Sequence, residues 1–286
     1  MEHKGATLLS GREAAEKIEE TIKSEILSLK GRPPTLAVIQ VGEHAPSQIY
    51  VKRKEEACKR AHIISKILKF NADISEKALI EEIISLNNDR DVDGILVQLP
   101  LPSHIDVNKI ILTIDPNKDV DGFHPINVGK LLLGQQDGFI SCTPLGIKQL
   151  LDHYQIDLKG KSVLIAGRSN IVGKPLSALL MQNGEGLNAT VTVANSFTKN
   201  LDKKIAESDV VVAAMGNPLF IKGDWIKKGA IVVDVGISRV EGKIVGDVEF
   251  DIAKLRASYI TPVPGGVGPM TISALLSNTL KSRKRL

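Results

Sequence analysis

Apolar residues recur at three- and four-residue spacing through Ala15, Ile18, Ile22, Ile26 and Leu29 until Gly31 and the Pro33-Pro34 pair stop the pattern. That period predicts an amphipathic helix, opened by a capping box in which Ser10 precedes Glu13. Thr35–Val41 then reads as a nearly continuous apolar run of strand length, ended by Gly42. A strand buried on both faces after a helix predicts a parallel sheet. The alternation continues with a strand at 63–70, then a helix capped by Ser75 that carries Leu79, Ile80, Ile83, Ile84 and Leu86. Asp93-Gly94 leads into a strand at 95–98. Helix and strand alternating in this way define an open α/β class.

The second half repeats the alternation. At 162–175 the chain reads Ser-Val-Leu-Ile-Ala-Gly-Arg-Ser-Asn-Ile-Val-Gly-Lys-Pro: four strand-forming residues, a glycine turn and the start of a helical pattern. Such a loop aims unpaired N–H groups and a helix dipole at one point, which suits a phosphate. An ordinary strand-to-helix corner reads the same way, and the motif departs from G-x-G-x-x-G: Ser169 replaces the second glycine and Gly173 comes one position late. Apolar strands at 190–194, 209–214 and 230–235 follow, so that 140–266 predicts a self-contained doubly wound unit. After the first of them stands Asn195-Ser196-Phe197, without the carboxylate that an NAD-preferring fold places there. With Arg168 in the loop, this points to a 2′-phosphate and hence to NADP, although a loop arginine is commonly only solvated. Thr261-Pro-Val-Pro264-Gly265-Gly266-Val-Gly268-Pro269 is a rigid connector that permits close backbone approach to a ligand. The last helix, with Ile272, Leu275, Leu276 and Leu280 on one face, is expected to return to the first domain.

Composition narrows the class. The 286 residues suffice for one large or two medium domains, and the two cysteines, Cys58 and Cys142, have no metal-type spacing. A disulfide framework is excluded and a reducing compartment expected. Met1-Glu-His-Lys-Gly5 lacks a signal-peptide core and no run reaches membrane-span length, so a soluble cytoplasmic protein is expected. The net charge of +4 is interspersed, and the basic tail at 281–285 reads as a solvated helix end rather than a nucleic-acid contact.

Three polar features break the pattern. On a helix, Ser47, Tyr50, Val51, Lys54, Ala57, Cys58 and Ala61 share one face, which places Lys54 on an apolar stripe. Either the lysine snorkels to the rim or it is a partly desolvated amine one turn from an aromatic ring. Gln98 ends a strand just before Leu99-Pro-Leu-Pro102, where α/β sheets place ligand groups and where many glutamines are merely solvated. Asp115-Pro-Asn-Lys-Asp119-Val-Asp121-Gly122 suggests a calcium loop, but Asn117 and Val128 stand where that loop needs its first Asp and its bidentate Glu. Turn chemistry remains, and no metal is expected.

Taken in order, Val41-Gly42, Ser47-x-x-Tyr50-x-x-x-Lys54, Val97-Gln98-Leu-Pro-Leu-Pro102, Lys118-Asp-Val-Asp121-Gly122, Gly167-Arg-Ser-x-Ile-Val-Gly173-x-Pro175 and Pro262-Val-Pro-Gly-Gly-Val-Gly-Pro-Met-Thr271 resemble the bifunctional methylenetetrahydrofolate dehydrogenase/cyclohydrolase family along the whole chain. The resemblance implies two α/β domains around a cleft. One is a folate-binding catalytic domain of 1–139 plus 267–286, the other a Rossmann-like NADP-binding domain of 140–266. It implies a homodimer in one-carbon metabolism that uses NADP, or less readily NAD. It assigns Lys54 as the central catalytic group, Tyr50 to stacking on the folate, Gln98 to the lysine and Asp121 to the pterin ring. Pro264, Gly265 and Gly266 would border the folate. Gly167, Arg168, Ser169, Ile171 and Gly173 would bind the cofactor, with Ser196 near its 2′-phosphate and Ile237 near the nicotinamide.

The chain departs from the family's common pattern in four places. His62 stands where a glycine ends the lysine helix, Ser141 replaces a proline, Asn195-Ser196-Phe197 replaces His-Ser-Arg, and Gly184-Glu-Gly-Leu-Asn188 lengthens a loop. A non-catalytic nucleotide-binding module and a dehydrogenase that has lost the cyclohydrolase are the rival readings.

Overall fold

The computed structural model of the chain describes residues 5–285, without the side chains of 45–47. Residues 1–4 and the Ser47 side chain, both used above, therefore lie outside the description. The chain divides into two compact units: the stretch up to Ala15 with Thr143–Thr271, and Glu16–Cys142 with the stretch from Ile272. The expected boundaries differ from this division chiefly at the N-terminus. There a two-residue strand, β1 (Thr7–Leu8), pairs in parallel with Tyr259–Ile260 of the later unit. Two residues are too few to show a strand period, which is why the pattern did not predict it.

The next elements are α1 (Gly11–Ser28), β2 (Thr35–Val41), α2 (Ala45–Arg60), β3 (Ile64–Phe70), α3 (Glu76–Asn88) and β4 (Gly94–Val97). Ser10 Oγ accepts from Glu13 N at 3.4 Å at the start of α1, and Ser75 Oγ accepts from Ala78 N at 3.2 Å to cap α3. β2 is the middle of a parallel three-stranded sheet ordered β3-β2-β4. Flanked on both sides, it is buried along its whole length, which is what its unbroken apolar run demands. Ile39, Val41, Ile95 and Val97 pack there against Leu79, Ile83 and Leu86 of α3.

α4 (Val107–Thr113), α5 (Pro125–Leu132) and α6 (Cys142–His153) follow. The last begins at Cys142, and Pro144 sits within its first turn, where its missing N–H would be unpaired in any case.

The other unit is built from β5 (Ser162–Ala166), α7 (Gly173–Leu180), β6 (Thr190–Ala194), α8 (Leu201–Glu207), β7 (Val210–Ala213), β8 (Ile231–Asp234), a β9 (Ser238–Val240) and β10 (Lys243–Val245) hairpin, α9 (Phe250–Ala253) and β11 (Tyr259–Ile260). Its six-stranded sheet runs β1-β11-β8-β7-β5-β6, parallel throughout. From β5 the chain steps outward to β6 and then back across to β7. That reversal makes the carboxyl ends of β5 and β7 a topological switch point, the place where doubly wound sheets bind nucleotides. α10 (Val267–Arg283) closes the chain. Its later turns belong with Glu16–Cys142, as the returning helix was expected to, and they bury Asn278, Thr279 and Ser282 as well as Leu275, Leu276 and Leu280.

Candidate active site and cofactor cradle

Helix α2 carries Tyr50 and Lys54 one turn apart, with Val51, Ala57, Cys58 and Ala61 buried beneath them. Burial pushes the Cys58 thiol up to about 12, so it stays protonated. Lys54 is half-buried, and its Nζ donates to Gln98 Oε1 at 3.0 Å. Gln98 follows β4 directly. Its backbone N–H donates to the Ile39 carbonyl at 2.8 Å and its side-chain Nε2 to the Leu99 carbonyl at 2.8 Å. With the amide nitrogen committed to a carbonyl, the amide oxygen is the end that faces the lysine.

The loop from Asp115 sorts its carboxylates. Asp115 Oδ1 accepts from Asn117 N at 2.8 Å. Buried Asp119 accepts from Phe123 N at 3.2 Å, His124 N at 2.8 Å and Asn127 Nδ2 at 2.8 Å, yet burial still lifts its carboxyl to about 6. These two are turn chemistry, as the sequence suggested. Asp121 differs, because its carboxyl meets the Cys142 thiol and lies within the field of Lys54. Burial raises it, and the lysine charge and the thiol hydrogen bond oppose that rise.

Neighbouring backbone holds Asp121 in place. Gly122 has φ +73°, and a Cβ on it would lie 2.6 Å from Ser141 N and 2.7 Å from the Ile140 carbonyl carbon. Only glycine permits that approach. Ser141, which replaces a proline, donates its hydroxyl to the Gly122 carbonyl at 3.0 Å. From α10, Asn278 Nδ2 donates to the carbonyls of Val120 at 2.8 Å and Ile140 at 2.9 Å. Asn278 and Cys142 were missed as site supports: neither shows more in the sequence than an apolar-helix position and an unpaired cysteine. The structure thus brings Lys54, Gln98 and Asp121 together in one unit, with Tyr50 on the same helix as the lysine.

The predicted cofactor residues lie in the other unit, at the switch point. Gly167 has φ +132°, and a Cβ there would fall 2.1 Å from the Ala214 carbonyl oxygen beyond β7. Gly173, the displaced glycine, opens α7 so close to the loop that its Cβ would lie 2.1 Å from the Gly167 carbonyl oxygen. Ser169 is exposed, and its Oγ accepts from Val172 N at 3.1 Å. Arg168, Ile171, Ser196 and Ile237 all face solvent, and the Arg168 guanidinium lies 6.0 Å from the Phe197 ring centroid.

Two carboxylates that the sequence reading passed over brace this end of the sheet. Asp247 Oδ2 accepts from Met215 N at 2.7 Å and Gly216 N at 2.9 Å, beyond β7. Asp234 accepts from Gly236, Asp247 and Val248 N–H groups, each at 2.9 Å, and burial lifts it to about 6. Pro264, Gly265 and Gly266 also belong to this unit. Gly11 approaches them so closely that a Cβ on it would fall 1.7 Å from the Gly266 carbonyl oxygen, and Gly11 N donates to the Gly265 carbonyl at 2.9 Å. A Cβ on Gly266 would lie 2.7 Å from the Pro262 carbonyl oxygen.

A side-chain-free cradle at the switch point, an exposed arginine beside it and the absence of a carboxylate at 195–197 fit a dinucleotide that carries an extra phosphate. These features define a nucleotide-dependent α/β enzyme with a lysine, amide and carboxyl centre in its second unit. Family models for the tetrahydrofolate dehydrogenase/cyclohydrolase catalytic domain and NAD(P)-binding domain match residues 9–121 and 141–286. The chain belongs to the tetrahydrofolate dehydrogenase/cyclohydrolase family.

It is 55% identical over 283 residues to the bifunctional protein FolD of Aquifex aeolicus, covering 98% of this chain and 96% of the relative. The crystal structure of the bifunctional FolD dehydrogenase/cyclohydrolase of Campylobacter jejuni superposes with a TM-score of 0.95 at 48% identity, covering 98% and 100% of the two chains. The Trypanosoma brucei enzyme, solved with NADP and an inhibitor, gives a TM-score of 0.91 at 39% identity, covering 98% of each.

Proposed function

We propose that this enzyme oxidises 5,10-methylenetetrahydrofolate to the 5,10-methenyl form with NADP and then hydrolyses that cation to 10-formyltetrahydrofolate. The observation that carries the reading at the level of residues is the 3.0 Å hydrogen bond from Lys54 to Gln98 beside the raised carboxyl of Asp121.

NADP, when bound, supplies the hydride acceptor. The backbone of Gly167, Arg168, Ser169, Ile171 and Gly173 holds its phosphates, Arg168 and Ser196 recognise the 2′-phosphate, and Ile237 borders the nicotinamide. The unit of Thr143–Thr271 is accordingly the NADP domain, and that of Glu16–Cys142 the folate domain. Tyr50 stacks on the folate, Asp121 bonds the pterin ring, and Pro264, Gly265 and Gly266 border the substrate. Hydride transfer removes no proton from carbon, so orientation is the chief contribution of the protein there. Hydrolysis does move protons. Water adds to the methenyl carbon, and both of its protons leave as its oxygen becomes the formyl carbonyl. The bond from that carbon to the ring nitrogen breaks, the nitrogen takes one proton up, and the other is released to solvent. Lys54 shuttles these protons, with Gln98 fixing the direction of its Nζ.

A homodimer is part of the same reading. β3 is an edge strand of the three-stranded sheet, and such an edge offers unpaired backbone groups to a second copy. Cys58 and Cys142 are unpaired and buried, which suits the reducing cytoplasm. Among the described residues no helix is long and apolar enough to cross a membrane.

The test follows NADPH formation from methylenetetrahydrofolate and then methenyl decay, with NADP and NAD compared. Hydride transfer with NADP followed by catalysed decay is expected. Transfer without catalysed decay would leave only a dehydrogenase, and no transfer with either nucleotide would leave a binding module.

A further inference from the structure

Arg168 and Phe197 emerge from neighbouring strands. Ala166 of β5 is in register with Ala194 of β6, and Gly167 N donates to the Ala194 carbonyl at 2.9 Å, so the two side chains leave the sheet side by side. The turn under Phe197 is locked by three hydrogen bonds of 2.9 Å: Asn195 N to Thr198 Oγ1, Phe197 N to Asn195 Oδ1, and Thr198 N to the Asn195 carbonyl. Yet Phe197 on this fixed backbone is 81% exposed. A large apolar side chain held in water invites a contact, and the Arg168 guanidinium lies over this ring, 6.0 Å from its centroid. A guanidinium over an aromatic face is attracted by the ring quadrupole. An arginine on a solvent-facing loop otherwise samples many rotamers, and confining it to one corner lowers the entropy cost of each phosphate contact.

We propose that Phe197 is a positioning residue for NADP selectivity, its ring holding Arg168 at the corner that receives the 2′-phosphate. This rests on the NADP reading above. The ring then does by preorganisation what a second cation at position 197 would do by charge. The same corner in an enzyme with a carboxylate there would recognise ribose hydroxyls instead.

Calorimetric titration of the substrate-free protein with NADP and with NAD tests this in Phe197→Ala, Phe197→Tyr, Arg168→Ala and the double variant. Phe197 is exposed, so folding should be unaffected, which thermal midpoints check. Phe197→Ala should weaken NADP about three- to fivefold with NAD unchanged, and Phe197→Tyr should restore the native value. In the Arg168→Ala background, removing Phe197 should have no further effect, because the ring acts through the arginine. Equal weakening of NADP and NAD by Phe197→Ala would make the ring a platform for the adenine base and overturn the proposal, as would unchanged NADP binding. Failure of Arg168→Ala to reduce the preference for NADP would overturn the reading of the corner itself, and with it this inference.

Discussion

Lys54 Nζ stands 3.0 Å from Gln98 Oε1, and the Gln98 amide nitrogen is bound to the Leu99 carbonyl at 2.8 Å. The glutamine is thereby a one-directional acceptor that aims the lysine. Gln98→Ala should cut methenyl hydrolysis by about 100-fold or more while NADP affinity stays within about twofold. Stopped-flow decay of the methenyl chromophore and calorimetry measure the two quantities, and a near-native hydrolysis rate would show that the lysine needs no guide.

Gly173 opens α7 against the Gly167 carbonyl, with room for no Cβ. Gly173→Ala must push the helix start away from the loop, so NADP binding should weaken about tenfold or more and the thermal midpoint should fall. Unchanged NADP affinity in this variant would remove the cradle from the cofactor site.

His62 leaves α2 with φ +60°, its N–H directed to the Lys59 carbonyl at 3.4 Å and that of Ile63 to the Cys58 carbonyl at 2.9 Å. This is a Schellman ending with histidine in the position that favours glycine. His62→Gly relieves the left-handed strain but loosens the unfolded chain, for a net gain of about 0.5–1 kcal/mol. A thermal midpoint higher by about 1–4 °C is expected. A lower midpoint would mean that the His62 side chain makes a contact worth more than the strain.

Asp119 and Asp234 both stand near 6 because burial disfavours their charged forms. Each folded value lies above the unfolded one of about 3.9, so the native state binds these protons more tightly. Their stabilising contribution is complete below about pH 4 and is lost as pH rises through about 6. In Asp119→Asn only the longest of the three hydrogen bonds, that from Phe123 N, need be lost, since the Asn oxygen can take the Oδ2 position. Urea midpoints between pH 4 and 6 should fall less steeply with pH in that variant than in the native chain. An unchanged slope would mean that Asp119 titrates alike in both states.

The alternation of apolar runs and helical stripes made the α/β architecture legible, because strands buried on both faces have no polar positions to hide them. β6 is legible at 190–194 although, as an edge strand, it leaves Thr190, Thr192 and Val193 exposed, because its valines and threonines are strand formers wherever they face. β1 was invisible at two residues. In the site, side-chain spacing put Lys54 on an apolar stripe but could not pair it with Gln98, 44 positions away, or Asp121 with Cys142. Only the resemblance joined the lysine to its partners. The glycines at 265 and 266 read as room for a ligand, whereas the approach of the Gly266 carbonyl to Gly11, permitted by the Cβ that Gly11 lacks, is a contact no local pattern encodes.

The central claim is that one lysine carries the hydrolytic step in an enzyme whose nucleotide cradle is built elsewhere in the chain. Lys54→Met, which keeps the length of the stem and removes the amine, isolates it. Methenyltetrahydrofolate decay should fall to the uncatalysed rate while the calorimetric affinity for NADP stays within about twofold. Catalysed decay at the native rate in that variant would contradict the account.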